Sequence, residues 1–271
     1  MSEEKAELAS GTQLLDRAVT ILKYLGEVGE QGAKAVAIAE AARLKPSTAH
    51  RIIGALERHG LIERERSTKR YRLSLSLFSL GAAAADGTGL RRLCRPALLR
   101  LAAATGDTVF LMARSGFHTI CVDRQEGGDT LYSLTGHVGG QIPLGVGPAS
   151  QAILAFLPPD EAAVVLEQNA ELYPRFSQLS AEEVGAGLPA IRAKGYALDT
   201  GRLVAGISAL AVPILPQGRD VTAAISINTT SAQLPPERIE NLLALLRQEV
   251  SAIESAVNPL DFATRVALTR G

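Results

Sequence analysis

The 271-residue sequence has no tryptophan and only six phenylalanines and five tyrosines. So few aromatic rings argue against a base-stacking surface for single-stranded nucleic acid. Its two cysteines, Cys94 and Cys121, are too few for a disulfide framework or an all-cysteine zinc site. Such usage fits a reducing cytoplasm. No apolar run approaches the ~18 residues that a membrane span needs. The acidic, polar start Met-Ser-Glu-Glu-Lys is followed by no apolar stretch, so neither a secretory signal nor a membrane segment is expected. The four histidines, His50, His59, His118 and His137, have no metal-ligand spacing with one another or with the cysteines. Ser150 lies in no Gly-x-Ser-x-Gly elbow, and Asp199 has no matching carboxylate at a catalytic spacing. The reading is therefore no metal, no cofactor and no enzyme.

Net charge is missing too. Lys and Arg total 28, and Asp and Glu total 28. That balance excludes a uniformly basic coat for nucleic acid but leaves room for a local basic patch. One exists. Residues 43–72 hold nine basic side chains against three acidic ones, so this stretch carries +6 and the remainder −6. With 46% hydrophobic and 21% charged residues, the chain has enough apolar material for packed cores, and its length suits one or two domains.

The N-terminal periodicity predicts a compact helical unit. Leu14, Ala18, Ile21, Leu22 and Leu25 recur at helical spacing, and a short helix follows over 36–43 with Ile38, Ala39 and Ala42 inward. Pro46 suits the first position of a third helix over 47–59, because its missing N–H costs nothing there. Ala49, Ile52, Ile53 and Leu56 form the buried stripe of that helix, and Gly60 ends it. Two alternating runs, 61–64 and 70–73, flank the polar turn 65–69 and read as a hairpin. Helix, short helix, turn, helix and β-wing is the order of a winged helix-turn-helix. An α-helix fits the major groove of B-DNA, and basic wing residues neutralise phosphates. On this reading Thr48, His50 and Arg51 face bases, and Ser47, Arg64, Arg66, Lys69 and Arg70 hold phosphates. The bland alternative is a three-helix protein-interaction module with a hairpin.

Downstream, an apolar, Ala-rich helix over 75–85 is expected to break at Asp86-Gly87-Thr88-Gly89. The domains are then 10–74, a linker helix at 75–88, and 89–258. A second amphipathic helix carries Leu90, Leu93, Cys94, Ala97, Leu98 and Leu101. Strands read at 107–114, 117–124, 130–135, 207–215 and 221–228, and helices at 149–156, 159–169 and 181–194. A last long helix after Pro235-Pro236 carries Ile239, Leu242, Leu243, Leu246, Val250, Ile253 and Val257 until Asn258-Pro259 stops it, and Phe262 and Val266 suggest a further short helix in the tail. The class is α+β. In the last strand Ser226 and Asn228 share a face opposite Ile225 and Ile227, and a polar pair on an apolar strand needs partners or a ligand. The Gly-rich stretch 139–147 ends in Pro148 before a helix. Exposed N–H groups of Ala149, Ser150 and Gln151 there would favour an anion, typically a carboxylate.

These residues resemble one family. The stretches LDRAVTIL (15–22), PSTAHRII (46–53) and LERHGLI (56–62) are similar to the DNA-binding domain of IclR-type bacterial transcriptional regulators. So are, for the effector domain, Pro96, Leu98 and Leu101 with TGDTV (105–109), GGQIPL (139–144), AILAFLP (152–158) and GYALD (195–199), giving a match over 12–257. The resemblance implies a GAF-like effector-binding domain, a linker helix that contributes to dimerisation, and a homodimer or dimer of dimers on double-stranded operator DNA. It places effector contacts on Leu131, Leu134, Pro148, Ala149, Asp199, Ala209, Ser226 and Asn228. Glyoxylate- and pyruvate-type sensors of the family carry Cys in place of Ala209 and Ser in place of Asn228. The extra volume at Ala209 turns the expectation towards a larger carboxylate, an aromatic or hydroxy acid, with Asp199 accepting from a ligand hydroxyl. The competing class is a GAF-type small-molecule or nucleotide-sensing module without specific DNA binding.

Overall fold

The computed structural model describes residues 2–128, 137–216, 221 and 223–256. The chain divides into two compact units, Met1–Ala84 and Ala85–Gly271.

In the first unit α1 (Ser2–Val28) is followed by a 3-10 turn, α2 (Ala35–Ala41), α3 (Pro46–Arg58), the strands β1 (Ile62–Arg64) and β2 (Tyr71–Leu73), and the start of α4 (Ser76–Thr88). Pro46 opens α3 as its residue type dictates, and Ala49, Ile52, Ile53 and Leu56 are its buried stripe. They pack with Ile21, Leu25, Ile38, Ile62 and Tyr71 into one small core. Leu14, which the periodicity puts on the inner stripe of α1, is instead 48% exposed, because only the last two turns of α1, at Ile21 and Leu25, reach that core. The hairpin pairs Ile62 with Leu73 and Arg64 with Tyr71. A third edge, absent from the sequence reading, is a bridge between Ala33 and Tyr71.

Helix α4 runs through Asp86 and Gly87 to Thr88, so the break falls at Gly89 (φ +67°) rather than at Asp86. The second unit is α5 (Leu90–Thr105), β3 (Thr108–Ser115), β4 (His118–Gln125), β5 (Gln141–Pro143), α6 (Pro148–Ala155), α7 (Pro159–Asn169), α8 (Ala181–Lys194), β6 (Ala197–Val204), β7 (Ile207–Ile214), β8 (Ala223–Thr230) and α9 (Pro236–Ala256). One sheet has the order β5-β4-β3-β8-β7-β6, every neighbouring pair antiparallel. Alternation along its strands sorts the side chains onto two faces. Val109, Leu111, Leu210, Ile225 and Ile227 pack on Leu98, Leu101, Leu246 and Val250 of α5 and α9. Phe110, Met112, Ala211 and Ala224 face α6 and α8 through Ile153, Leu154 and Val184. Two strands, β5 and β6, have no counterpart in the sequence reading. The strand expected at 130–135, the stop at Asn258-Pro259 and the tail around Phe262 lie outside the described residues.

The cysteines form no disulfide and are buried on opposite faces of the sheet, Cys94 in the core under α5 and Cys121 in the core under α6. Burial, with the nearby Asp123 carboxylate adding to it, pushes the Cys94 thiol from its ordinary 9.0 up to about 12. A raised folded-state pKa gives stability that is complete below the unfolded value and is lost as pH rises towards the folded one. A thiol reagent at pH 8 should therefore leave Cys94 unmodified until denaturant is added. The urea midpoint should decline between pH 9 and about 12, and a Cys94→Ala chain should show less of that decline. Rapid labelling of Cys94 in the native state would contradict its burial.

Candidate nucleic-acid interface and ligand pocket

Burying one stripe of α3 turns the opposite stripe outward. Ser47, His50 and Arg51 are exposed and Thr48 is half-buried at its edge. The wing adds Arg64, Arg66, Lys69 and Arg70, all exposed, but their surroundings differ. The Arg64 guanidinium lies over the Tyr71 ring at 5.5 Å. Arg72 pairs across the strands with Glu63 at 2.6 Å, and this hydrogen bond raises its pKa further above the usual arginine range. Glu65 is held by the Thr68 hydroxyl. Arg70 donates from Nη1 to the Gly32 carbonyl at 2.9 Å. Arg51, Arg66 and Lys69 make no side-chain hydrogen bond or ion pair with the described residues. The acidic side chains of the hairpin are thus engaged locally, and on α3 and the wing the unpaired cations Arg51, Arg66 and Lys69 outnumber the one unpaired carboxylate, Glu57, among the described residues.

In the second unit the sheet register assembles a pocket. Thr108 pairs with Asn228, Asn228 with Ala209, and Ala209 with Asp199, one row across four strands. At ~4.8 Å per strand, Asn228 and Asp199 stand about 10 Å apart with only the Ala209 methyl between them. Phe110 and Ser226 form part of the next row on the same face. The start of α6 closes one side. The lining includes Phe110, Met112, Ile142, Val146, Pro148, Ala149, Asp199, Ala209, Ser226 and Asn228, around about 540 Å³ that includes the open mouth. All six described positions assigned to the effector meet here. Leu131 and Leu134 lie outside the described residues. The apolar walls Phe110 and Met112 escaped the sequence reading, although their spacing from β3 alternation places them on the Ser226 face. Leu203 and Val204 escaped because β6 itself was not expected.

The polar groups of the pocket are preset. Ser226 Oγ donates to Asn228 Oδ1 at 3.2 Å, which leaves the Asn228 amino group as a donor. Asp199 accepts from the N–H groups of Arg202 and Leu203 at 3.1 and 3.3 Å, where the β6–β7 ladder is interrupted. At the start of α6, the Gln151 N–H is already bound to the Gly147 carbonyl at 2.9 Å. The expected trio of free N–H groups is therefore the pair Ala149 and Ser150. No Lys, Arg or His is among the described lining residues.

The loop carrying that pair is fixed from beneath. Tyr173 OH donates to the Leu144 carbonyl at 2.7 Å, and burial pushes that hydroxyl up to about 12. Asn169 Nδ2 donates to the carbonyls of Phe117 and Leu144. Gly145 N–H donates to Ser150 Oγ at 2.7 Å, which also meets Thr119 Oγ1 at 2.7 Å. Gly145 has φ +108°, and a Cβ there would lie 2.7 Å from Tyr173 OH. Among the described residues no group of three His, Cys, Asp or Glu could hold a metal ion, and no helix is long and apolar enough to cross a membrane.

A helical DNA-reading unit joined to a sheet domain with this pocket defines a class of ligand-sensing regulator. The IclR helix-turn-helix domain matches residues 14–66, and the C-terminal domain of the bacterial transcriptional regulator IclR matches 82–255. The chain belongs to the IclR family of bacterial transcriptional regulators. It is 27% identical over 268 residues to the DNA-binding transcriptional repressor YiaJ of Escherichia coli (strain K12), covering 98% of this chain and 93% of that one. The HTH-type transcriptional repressor AllR of Klebsiella pneumoniae is 25% identical over 257 residues, 94% of this chain and 93% of its own length. Among solved structures, an IclR transcriptional regulator from Alicyclobacillus acidocaldarius superposes with a TM-score of 0.74 at 28% identity, covering 90% of this chain and 98% of that chain. An IclR homolog from Microbacterium hydrocarbonoxydans complexed with 4-hydroxybenzoate shares the fold with a TM-score of 0.75 at 23% identity, over 93% and 99% of the two chains. YiaJ and AllR are named as transcriptional repressors and the Alicyclobacillus protein as a transcriptional regulator.

Gly145→Ala should cost about 2 kcal/mol or more of stability, since it combines left-handed backbone strain with a clash against a buried hydroxyl. Chemical denaturation measures it. A neutral effect would mean that the pocket loop is not held as described.

Proposed function

We propose that the protein is an effector-controlled repressor that binds double-stranded operator DNA through α3 and the wing, and a small organic carboxylate in the C-terminal pocket. The observation that carries the ligand half is the convergence of Pro148, Ala149, Asp199, Ala209, Ser226 and Asn228 on one cavity. The DNA half is supported by the outward stripe of α3 and the unpaired cations beside it. Repression follows the names of YiaJ and AllR.

The pocket has a donor end and an acceptor end. Ala149 and Ser150 N–H groups, with the α6 dipole, take a carboxylate. Asp199 takes a proton donor, a ligand hydroxyl. Phe110, Met112 and Ile142 supply the apolar walls and Ala209 the clearance that a ring needs. A hydroxylated aromatic or aliphatic acid fits these demands, and the Microbacterium homolog is a complex with one such acid. A nucleotide fits them poorly, because no cation is among the described lining residues to meet its phosphates.

Symmetry supplies the operator geometry. A homodimer, or a dimer of dimers, reads half-sites about one helical turn apart or a multiple of it. A second copy has apolar surface to cover in the first unit, where Leu15 is 65% and Phe78 70% exposed. As a regulator that works on bacterial DNA, the protein acts in the cytoplasm, where two cysteines outside any disulfide are at home.

Arg51→Ala should lower specific affinity by about 1–3 kcal/mol and relax the preference at one base pair. Operator discrimination equal to the parent's, measured by gel shift, would remove Arg51 from base readout. In a thermal-shift screen of 4-hydroxybenzoate, aliphatic hydroxy acids, glyoxylate and pyruvate, a hydroxylated acid at about 100 times its Kd should stabilise by about 2.7 kcal/mol. Ser226→Ala with Asn228→Ala should abolish that shift and the change in DNA affinity while leaving DNA binding intact. A normal response in the double variant would mean that the effector binds elsewhere.

A further inference from the structure

Arg64, Arg66, Lys69 and Arg70 look interchangeable in sequence, but of these four only Arg70 hydrogen-bonds through its side chain to backbone outside the wing. Arg70 precedes Tyr71, the first residue of β2, and its Nη1 reaches back to the Gly32 carbonyl at 2.9 Å, a partly buried contact. Next to it, Ala33 N–H donates to the Tyr71 carbonyl at 2.9 Å and Tyr71 N–H donates to the Ala33 carbonyl at 2.8 Å. Three hydrogen bonds therefore join two consecutive residues of the wing to two consecutive residues after α1. Gly32 permits this approach. Its φ is +58°, and a Cβ there would lie 2.7 Å from the Tyr71 carbonyl oxygen. Behind the seam the Tyr71 side chain is buried in the core with Ile21, Leu25 and Ile53. At the far end of the hairpin Arg66 and Lys69 have no side-chain partner among the described residues.

We propose that Arg70 is a positioning residue for DNA binding, which locks the wing to the segment after α1, and that Arg66 and Lys69 supply the phosphate-facing charge. The proposal rests on the DNA-binding reading above. A guanidinium that turned to a phosphate would give up the Gly32 carbonyl and loosen the seam just where the wing meets the core. A charge-assisted hydrogen bond to a carbonyl holds more strongly than a neutral one, and among the described residues no other side chain donates to Gly32 O. Held this way, the wing keeps its reach relative to α3 before DNA arrives, so that binding does not have to order it.

The test uses the full chain and a random-sequence DNA duplex, so no operator need be known. Association constants are measured against salt for the parent and for Gly32→Ala, Arg70→Met, Arg66→Met and Lys69→Met. Loss of a phosphate contact lowers the salt slope by about one. Arg66→Met and Lys69→Met should do so. Gly32→Ala, which removes no charge, and Arg70→Met should weaken binding by about tenfold, the worth of roughly one such hydrogen bond, with the slope of the parent. Hydrogen exchange without DNA should show the Ala33 and Tyr71 amides losing protection in both, while the amides of Ile52 and Ile53 keep theirs. The proposal is overturned if Arg70→Met lowers the slope by about one and leaves those two amides protected, or if Gly32→Ala binds like the parent. If the parent itself binds no duplex at low salt, the DNA reading fails first, an outcome distinct from either.

Discussion

The two-residue period of β8 is the constraint on which the sensing half depends. Ile225 and Ile227 are committed to the core under α5 and α9, so Ser226 and Asn228 have to face the other way. A slip of one residue in register would drive the polar pair into the apolar core under α5 and α9 and move the isoleucines to the pocket face, and the cost of stranding Ser226 and Asn228 there without partners fixes the register. Once β8 is fixed, its pairing fixes its neighbours. Ala209 lies beside Asn228 and Asp199 beside Ala209. The pocket is thus a by-product of burying the opposite face, and its chemistry is decided by which residues occupy the rows that the core does not claim.

The DNA-reading half obeys the same logic with a period of 3.6. Ala49, Ile52, Ile53 and Leu56 anchor α3, and the residues between them face solvent. What distinguishes this exposed face from an ordinary solvated one is its pairing. Glu63 is taken by Arg72 and Glu65 by Thr68, so the acidic side chains of the hairpin are engaged locally while Arg66 and Lys69 are not. The surface is poised for an anion partner without the chain as a whole being basic, which reconciles zero net charge with an affinity for DNA.

Much of this was legible in the sequence, and the failures have physical causes. Long amphipathic periods were read correctly, as in α3 and α9, because burying one face leaves an unambiguous repeat. The alternation of Ser226 and Asn228 against Ile225 and Ile227 was equally plain. Strand β6 escaped because it is an edge strand interrupted after Asp199, where Thr200, Gly201 and Arg202 break the alternation. Strand β5 is three residues long, too short to show any period. The first turn of α6 was read as three free N–H groups, but one of them closes the turn onto Gly147. The bridge from Ala33 to Tyr71 joins residues 38 positions apart, a pairing that no local pattern reports, and with it went the distinct surroundings of Arg70. Charge counts cannot tell a cation held by a carbonyl from one left free.

The proposed recognition of an anion by a pocket with no cation among its described lining residues has consequences for selectivity. An arginine attracts any anion over several ångströms, whereas two N–H groups and an amide act only along their own directions. Recognition here depends on shape and on hydrogen-bond geometry more than on charge. Asp199 sharpens that choice. Its carboxylate already accepts two backbone N–H bonds, which keep it in place as an acceptor facing the cavity. A ligand with a hydroxyl at that distance gains a partner, while one with a second carboxylate meets a like charge in a partly desolvated space and loses several-fold in affinity for every ~1 kcal/mol of repulsion. Effector control needs only a modest difference. A ligand that binds one arrangement of the protein better than another by about 1–3 kcal/mol changes operator affinity by about 5- to 150-fold. A few directional bonds, made in one arrangement and strained in the other, are enough to supply that difference.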